Sequence, residues 1–99
     1  MHPVIDRFIR YIKIDTQSAR KSDTFPSTEK QLNLAKILLQ ELKDMGLEDA
    51  ALDEYGYVTA SLPANIDRSA PVVGFLAHMD TSPDFSGKDV KPQFIDNYD

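Results

Sequence analysis

Apolar residues recur with helical spacing in two stretches of the chain. The first stretch predicts a helix over about 3–13. The second predicts a helix over about 28–45, with Thr28 and Gln31 forming a capping box at its start. Gly46 would end this helix, because glycine readily adopts the left-handed conformation that follows a helix. The apolar positions are Val4, Ile5, Phe8, Ile9 and Ile12 in the first stretch and Leu32, Ala35, Leu38, Leu39, Leu42 and Met45 in the second.

After the second helix the period of the apolar residues shortens to two. Residues 57–62 alternate between polar and apolar side chains behind a turn at 55–56, which predicts a β-hairpin. The run PVVGFLAH at 71–78 is apolar without alternation and predicts a third strand covered on both faces. The polar stretches 14–27 and 81–99 are predicted to be loops.

These elements predict an α/β fold with two helices and about three strands in an incomplete sheet. A strand covered on both faces needs a layer on each side, whereas two helices supply one layer and part of another. The 99 residues leave room for one domain with a modest core. We therefore predict that residues 1–99 are the opening part of a larger α/β domain.

Charge and cysteine content exclude several classes of function. The chain has 16 acidic and 11 basic residues and a formal net charge of −5, which argues against nucleic acid or an anionic membrane as a partner. It has no cysteine, so a disulfide scaffold and a cysteine zinc site are excluded. The N-terminus lacks the pattern of a signal peptide, and no stretch approaches the roughly 20 apolar residues of a membrane span. We expect a soluble, cytoplasmic protein.

Two side chains that could bind a metal ion or take part in catalysis lie where the apolar run 71–78 ends. His78 and Asp80 are two positions apart, so in an extended chain both point the same way. In open α/β sheets, ligands bind at the carboxyl ends of the strands. A neutral imidazole there suits zinc, and a carboxylate that holds the other ring nitrogen raises its basicity. The pattern His-x-Asp also arises by chance, and a strand-end histidine is often a cap or a partly exposed residue.

One histidine and one aspartate do not complete a zinc site, which needs three or four ligands. The other histidine of the chain is His2, at the terminus. The sequence contains no nucleophile elbow, no phosphate-binding loop and no H-E-x-x-H motif. Asp80, Asp84 and Asp89 lack the spacing of a calcium loop and are expected in a solvated loop.

The segment GFLAHMDTSPDFSGKDVKPQ resembles the first metal-ligand segment of the peptidase T branch of the di-zinc exopeptidase family. Upstream, RFIRYIKIDTQS resembles the first helix of that family and the loop after it. The stretch from FPSTEKQ to VTASLPA resembles its second helix and first hairpin. The resemblance covers essentially all 99 residues. The core H-x-D-T is shared across the wider family, and the continuation SPDFSGKDVKPQ is more specific to this branch.

The resemblance implies an α/β zinc-peptidase domain into which a smaller lid and dimerisation domain is inserted. His78 matches the histidine that binds one of two zinc ions. Asp80 matches the catalytic-site carboxylate that steadies this histidine. The implied reaction removes the N-terminal residue from a tripeptide, with two zinc ions polarising the carbonyl and supplying a hydroxide while a glutamate acts as base.

The other metal ligands and the general base of the family have no counterpart among residues 1–99. We therefore expect the isolated chain to be inactive and to bind zinc weakly at best. The expected partners are a short peptide substrate, a second copy through the exposed sheet edge, and a homodimer mate for the full-length protein. Two alternatives stay open: a dipeptidase or deacylase of the same family, or a non-enzymatic module that binds a partner if the natural chain ends at Asp99.

Overall fold

Two α-helices and one short hairpin form the regular structure of residues 2–98, the part of the chain that the computed structural model describes. In chain order the elements are α1 (Pro3–Ile12), α2 (Gln31–Asp44), β1 (Ala51–Leu52) and β2 (Val58–Thr59). The strands are antiparallel neighbours in a two-stranded sheet, and α2 packs against both. The predicted α/β fold with an incomplete sheet is confirmed.

Helix α1 begins where the sequence predicts and ends one residue earlier, at Ile12. The ring of His2 caps it, because Nδ1 accepts a hydrogen bond from the Val4 backbone N–H at 3.1 Å. Pro3 fits the first turn, since it has no N–H that would need an acceptor there. Within residues 2–98, neither helix is long and apolar enough to cross a membrane.

The start of α2 differs from the predicted capping box. The helix begins at Gln31, three residues later than expected. The Thr28 hydroxyl donates to the Gln17 carbonyl oxygen at 2.7 Å and accepts from the Gln31 side-chain amide at 2.9 Å. A capping threonine would instead accept from a backbone N–H of the first helical turn. The prediction was wrong because the preceding loop and the Gln31 side chain occupy this hydroxyl.

Glycines end α2 and shape the hairpin turn. Gly46 has a φ of 90°, and the Leu47 N–H donates back to the Leu42 carbonyl oxygen at 3.1 Å. This confirms the predicted glycine stop. Between the strands Gly56 has a φ of 89°, and the Asp53 carboxylate accepts two backbone N–H groups of the turn at 2.9 Å each. The hairpin is therefore closed by local hydrogen bonds, as its sequence predicts.

The third predicted strand does not form within the described residues. Residues 71–78 pair with no other strand there. Their most exposed side chains are Val72 at 98%, Leu76 at 96% and Phe75 at 95% exposure. A strand needs a hydrogen-bonding neighbour, and the two-residue strands of the hairpin do not supply one to this run. A single parallel bridge, between Gln17 and Thr81, lies just beyond it.

The described residues bury little apolar surface. In residues 2–98 the buried apolar side chains are Leu34 and Ala35, both on α2. The radius of gyration is 16.5 Å, whereas a compact chain of about 100 residues has roughly 13 Å. Apolar side chains therefore stay in contact with solvent, above all in 71–78. Self-association through this exposed segment stays a prediction.

Candidate functional site

The structure brings the two predicted site residues into direct contact. The ring Nδ1 of His78 lies 2.9 Å from Oδ1 of Asp80. The His78 side chain is 84% exposed, and that of Asp80 is 39% exposed. The i and i+2 spacing therefore places both side chains on one side of the chain, as the sequence predicts, although no strand forms around them.

The charge on Asp80 fixes which nitrogen of His78 carries the proton. The hydrogen bond with His78 is the main reason that the pKa of the Asp80 carboxyl is lowered, and a hydrogen bond from Ser18 adds to the effect. A charged carboxylate is an acceptor, so a neutral His78 ring donates through Nδ1–H and keeps its lone pair on Nε2. An exposed Nε2 braced in this way is the donor atom that a zinc ion requires.

The described residues provide one such nitrogen and no complete metal site. Among residues 2–98, no three histidine, cysteine or acidic side chains come together in a way that could hold a metal ion. His2 uses its Nδ1 to cap α1 and lies at the start of that helix. The chemistry of His78 and Asp80 thus fits one ligand and its brace, which is fewer than the three or four ligands of a zinc site.

The loop after α1 holds the chain directly behind the pair. The Thr81 N–H donates to the Thr16 carbonyl oxygen at 3.2 Å, and the Ser18 N–H donates to the Thr81 carbonyl oxygen at 3.0 Å. The Gln17 side-chain amide donates to the Pro83 carbonyl oxygen at 3.0 Å. We call these contacts between residues 15–20 and residues 81–87 the clasp. It joins segments more than 60 residues apart in the sequence.

Charged side chains reinforce the clasp at both ends. The Asp15 carboxylate accepts the Gln17 N–H at 3.1 Å and the Lys30 ammonium at 3.0 Å, and these contacts lower its pKa in that order. Arg20 forms an ion pair with Asp84 at the other end. Gly87 packs so tightly that a Cβ atom there would lie 2.9 Å from Oδ1 of Asp15. The predicted loops 14–27 and 81–99 therefore meet, which their polarity alone does not reveal.

Clefts open on both sides of the stretch 77–80. One has a volume of about 850 Å³ and extends from this stretch to α2 and the hairpin turn. The other has about 510 Å³ and lies between α1, α2 and the clasp. Both contain the side chains of His78 and Asp80 in their walls, beside Tyr11 of α1. The candidate ligand and its brace are thus accessible from two directions.

A polar cluster that the sequence reasoning missed lies at the wall of the larger cleft. Glu41 of α2 pairs with Arg10 at 2.5 Å and with Arg7 at 3.3 Å, and it accepts a hydrogen bond from the Tyr11 hydroxyl. The available signal was the position of Glu41, which lies three residues after Leu38 on the apolar face of α2. A carboxylate on an apolar face needs polar partners, and α1 supplies them.

Burial and hydrogen bonding oppose each other in this cluster. Burial acts to raise the pKa of the Glu41 carboxyl, but hydrogen bonds from Tyr11 and Arg10 outweigh it and lower the pKa. Burial of the ring, followed by the hydrogen bond to Glu41, raises the pKa of Tyr11 to about 12. Glu41 is therefore a charged link between α1 and α2, and Tyr11 remains its neutral donor at ordinary pH.

Fold and site together define an incomplete α/β domain that carries one candidate metal ligand and its hydrogen-bond partner. No family model matches the chain. Along its whole length, however, the chain is similar to curated proteins named peptidase T. It is 57% identical over 98 residues to that of Halothermothrix orenii, covering 99% of this chain and 24% of the relative. It is 62% identical over 99 residues to that of Desulfitobacterium hafniense, covering 100% and 24%.

The chain spans about a quarter of the length of the curated relatives that it matches. A third relative, peptidase T of Clostridium acetobutylicum, is 57% identical over 99 residues, again covering 100% of this chain and 24% of the relative. The resemblance read from the sequence is thereby confirmed, since the similarity to peptidase T extends over the whole chain.

Proposed function

We propose that this chain is the N-terminal part of a zinc-dependent aminopeptidase that releases the N-terminal residue from tripeptides. The observation that carries the proposal is similarity over the whole chain, at 57–62% identity, to proteins named peptidase T. The contact between His78 and Asp80 supports it, because the segment that resembles the family's metal-ligand segment has the hydrogen bond that a zinc-binding histidine needs.

In this proposal each residue of the pair has a distinct task. His78 would hold zinc through Nε2, and Asp80 would keep the ring in the tautomer that leaves this nitrogen bare. A bound zinc ion supplies Lewis acidity toward the peptide carbonyl and lowers the pKa of a bound water. The remaining ligands and the general base have no counterpart in residues 1–99, so catalysis depends on residues outside this sequence.

A chimera tests the proposal in a complete enzyme. Residues 1–99 of this chain replace the 99 aligned residues of peptidase T from Desulfitobacterium hafniense. We expect the zinc-loaded chimera to hydrolyse a tripeptide in preference to a dipeptide or an N-acylated amino acid. His78→Ala should reduce kcat/KM at least about 100-fold and lower the zinc content, because it removes a ligand. Asp80→Asn should cost roughly 10–100-fold, the usual loss when a ligand's hydrogen-bond partner is changed.

The second histidine of the chain provides the matched control. His2→Ala is the same substitution at a residue that caps α1 instead of touching Asp80. It should leave zinc content and kcat/KM of the chimera within about twofold. A folded, zinc-loaded chimera without tripeptidase activity would overturn the proposal, and so would a His78→Ala variant that behaves like His2→Ala. Turnover by the isolated chain would contradict the dependence on residues outside it.

A further inference from the structure

The loop after α1 reaches the back of the candidate ligand pair through Ser18. The Ser18 N–H donates to the Thr81 carbonyl oxygen at 3.0 Å, and its hydroxyl donates to the same oxygen at 2.9 Å. Thr81 directly follows Asp80, so these bonds hold the backbone from which the carboxylate projects. Both donors of Ser18 therefore converge on one carbonyl oxygen, next in the chain to the residue that contacts His78.

We propose that Ser18 is a positioning residue, whose hydroxyl holds the backbone at Thr81 so that the neighbouring Asp80 carboxylate receives Nδ1–H of His78 and leaves Nε2 bare. The consequence for metal binding rests on the function proposed above. The hydrogen-bond arrangement itself does not, because it exists within this chain without any ion or substrate.

Little else in the described residues orients the His78 ring. The side chain is 84% exposed, and the run 71–78 that leads into it pairs with no strand there. Its orientation depends on the Asp80 carboxylate at 2.9 Å. The stretch that carries this carboxylate is held from behind, where Thr81 donates its N–H to the Thr16 carbonyl oxygen and accepts twice from Ser18. Removing the Ser18 hydroxyl would leave the Thr81 carbonyl oxygen with the Ser18 N–H as its donor from this serine.

The ring nitrogens of histidine report this arrangement directly. The chain contains two histidines, so a sample labelled with ¹⁵N at histidine gives two sets of ring signals. We expect His78 to be the Nδ1–H tautomer at a pH where the ring is neutral. His2 should be the Nε2–H tautomer, because its Nδ1 accepts from the Val4 N–H at 3.1 Å. The spectra are recorded without metal, at a concentration where the chain sediments as a monomer.

Three variants separate positioning from general structure. Ser18→Ala should move His78 from mainly Nδ1–H to a mixture of both tautomers while His2 stays unchanged. Ser18→Thr keeps a hydroxyl and should keep the tautomer. Ser22→Ala is the control in the same loop, because the Ser22 hydroxyl bonds only to Thr24 among the described residues. It should change neither ring.

An unchanged His78 tautomer in Ser18→Ala would overturn the inference, and so would an equal change in Ser22→Ala. If Ser18→Ala unfolds the chain, His2 loses its preferred tautomer as well. In that case the Ser18→Thr variant tests whether the hydroxyl positions the pair. Loss of the His78 tautomer in a folded Ser18→Thr chain would then overturn the inference. Since no metal or peptide is present, this result is independent of the chimera assay, and the two proposals can fail separately.

Discussion

Replacing Tyr11 by phenylalanine should weaken the contact between α1 and α2. The substitution removes one hydroxyl, the donor to Glu41, and leaves the volume of the ring almost unchanged. Glu41 keeps its ion pairs with Arg10 and Arg7, so the carboxylate is not left without partners. Because no charge becomes stranded, we expect a cost no higher than the low end of the range for a hydrogen bond to a charged group, about 1–1.5 kcal/mol.

The titration of Tyr11 gives a second route to the magnitude. Its pKa rises from 10.0 to about 12, and a rise of that size corresponds to about 2.7 kcal/mol. Burial of the ring is the larger cause and the Glu41 hydrogen bond the next, so the bond accounts for only part of this figure. Solvent that reaches the half-buried ring reduces it further. The titration therefore sets only an upper bound, and the cost of about 1–1.5 kcal/mol expected for the hydrogen bond lies below it.

Urea unfolding followed by the helical circular-dichroism signal measures this cost. Tyr57→Phe is the matched control, because Tyr57 is 67% exposed and its hydroxyl has no hydrogen-bond partner among the described residues. We expect Tyr11→Phe to lower the free energy of unfolding by about 1–1.5 kcal/mol and Tyr57→Phe by less than about 0.5 kcal/mol. Equal effects of the two substitutions would refute the reasoning.

The stabilising effect of Tyr11 should decrease at high pH. The pKa of Tyr11 is raised in the folded chain, so its contribution to stability is fully present below the unfolded value near 10. It is lost as the pH rises from there through about 12. The difference between the parent chain and Tyr11→Phe should accordingly be constant near neutral pH and shrink above pH ~10. A difference that grows in this range would contradict the assigned hydrogen bond.

Two further predictions concern the clasp and the exposed run. Gly87→Ala places a Cβ atom 2.9 Å from Oδ1 of Asp15, whereas Gly74 has no atom within 4 Å of such a Cβ. Gly87→Ala should therefore lower the free energy of unfolding by about 1–2 kcal/mol, and the control Gly74→Ala should not lower it; urea unfolding distinguishes the two. The isolated chain should self-associate through 71–78, and Val72→Asp, at a side chain that is 98% exposed, should shift sedimentation toward the monomer. A parent chain that stays monomeric at high concentration would speak against this.

Local pattern was sufficient for the parts of the fold that are stabilised locally. Helix α1 ends within one residue of its predicted end, and Gly46 stops α2 where expected, because periodicity and a glycine stop act over a few residues. The His78–Asp80 contact was predictable for the same reason, since i and i+2 share a side in extended chain. Apolar content alone could not make 71–78 a strand, because pairing requires a second segment.

The parts that sequence reasoning missed all depend on contacts between distant segments. Thr28 fits a helix cap in the sequence, but in the structure its hydroxyl donates to the Gln17 carbonyl. The Tyr11–Glu41 bond spans 30 positions, and the Ser18–Thr81 bond spans 63. No local periodicity encodes which polar side chains of two loops meet. For the same reason the sequence assigned no role to Ser18, although it lies behind the candidate ligand pair.

The hydrogen bonds of the clasp barely offset the chain entropy that its closure costs. Joining segments 63 positions apart costs about 4 kcal/mol of chain entropy, from (3/2)RT ln n. Three hydrogen bonds among Thr16, Ser18 and Thr81 return roughly 1 kcal/mol each. These terms nearly cancel, so the clasp depends on the charged contacts at its ends, Lys30 with Asp15 and Arg20 with Asp84. The backbone hydrogen bonds of the two helices, in contrast, join residues a few positions apart and lie outside the clasp. The stretch that follows His78 and Asp80 is therefore held directly by the loop 15–20, and substitutions in that loop should act on the ligand pair without changing a residue of either helix.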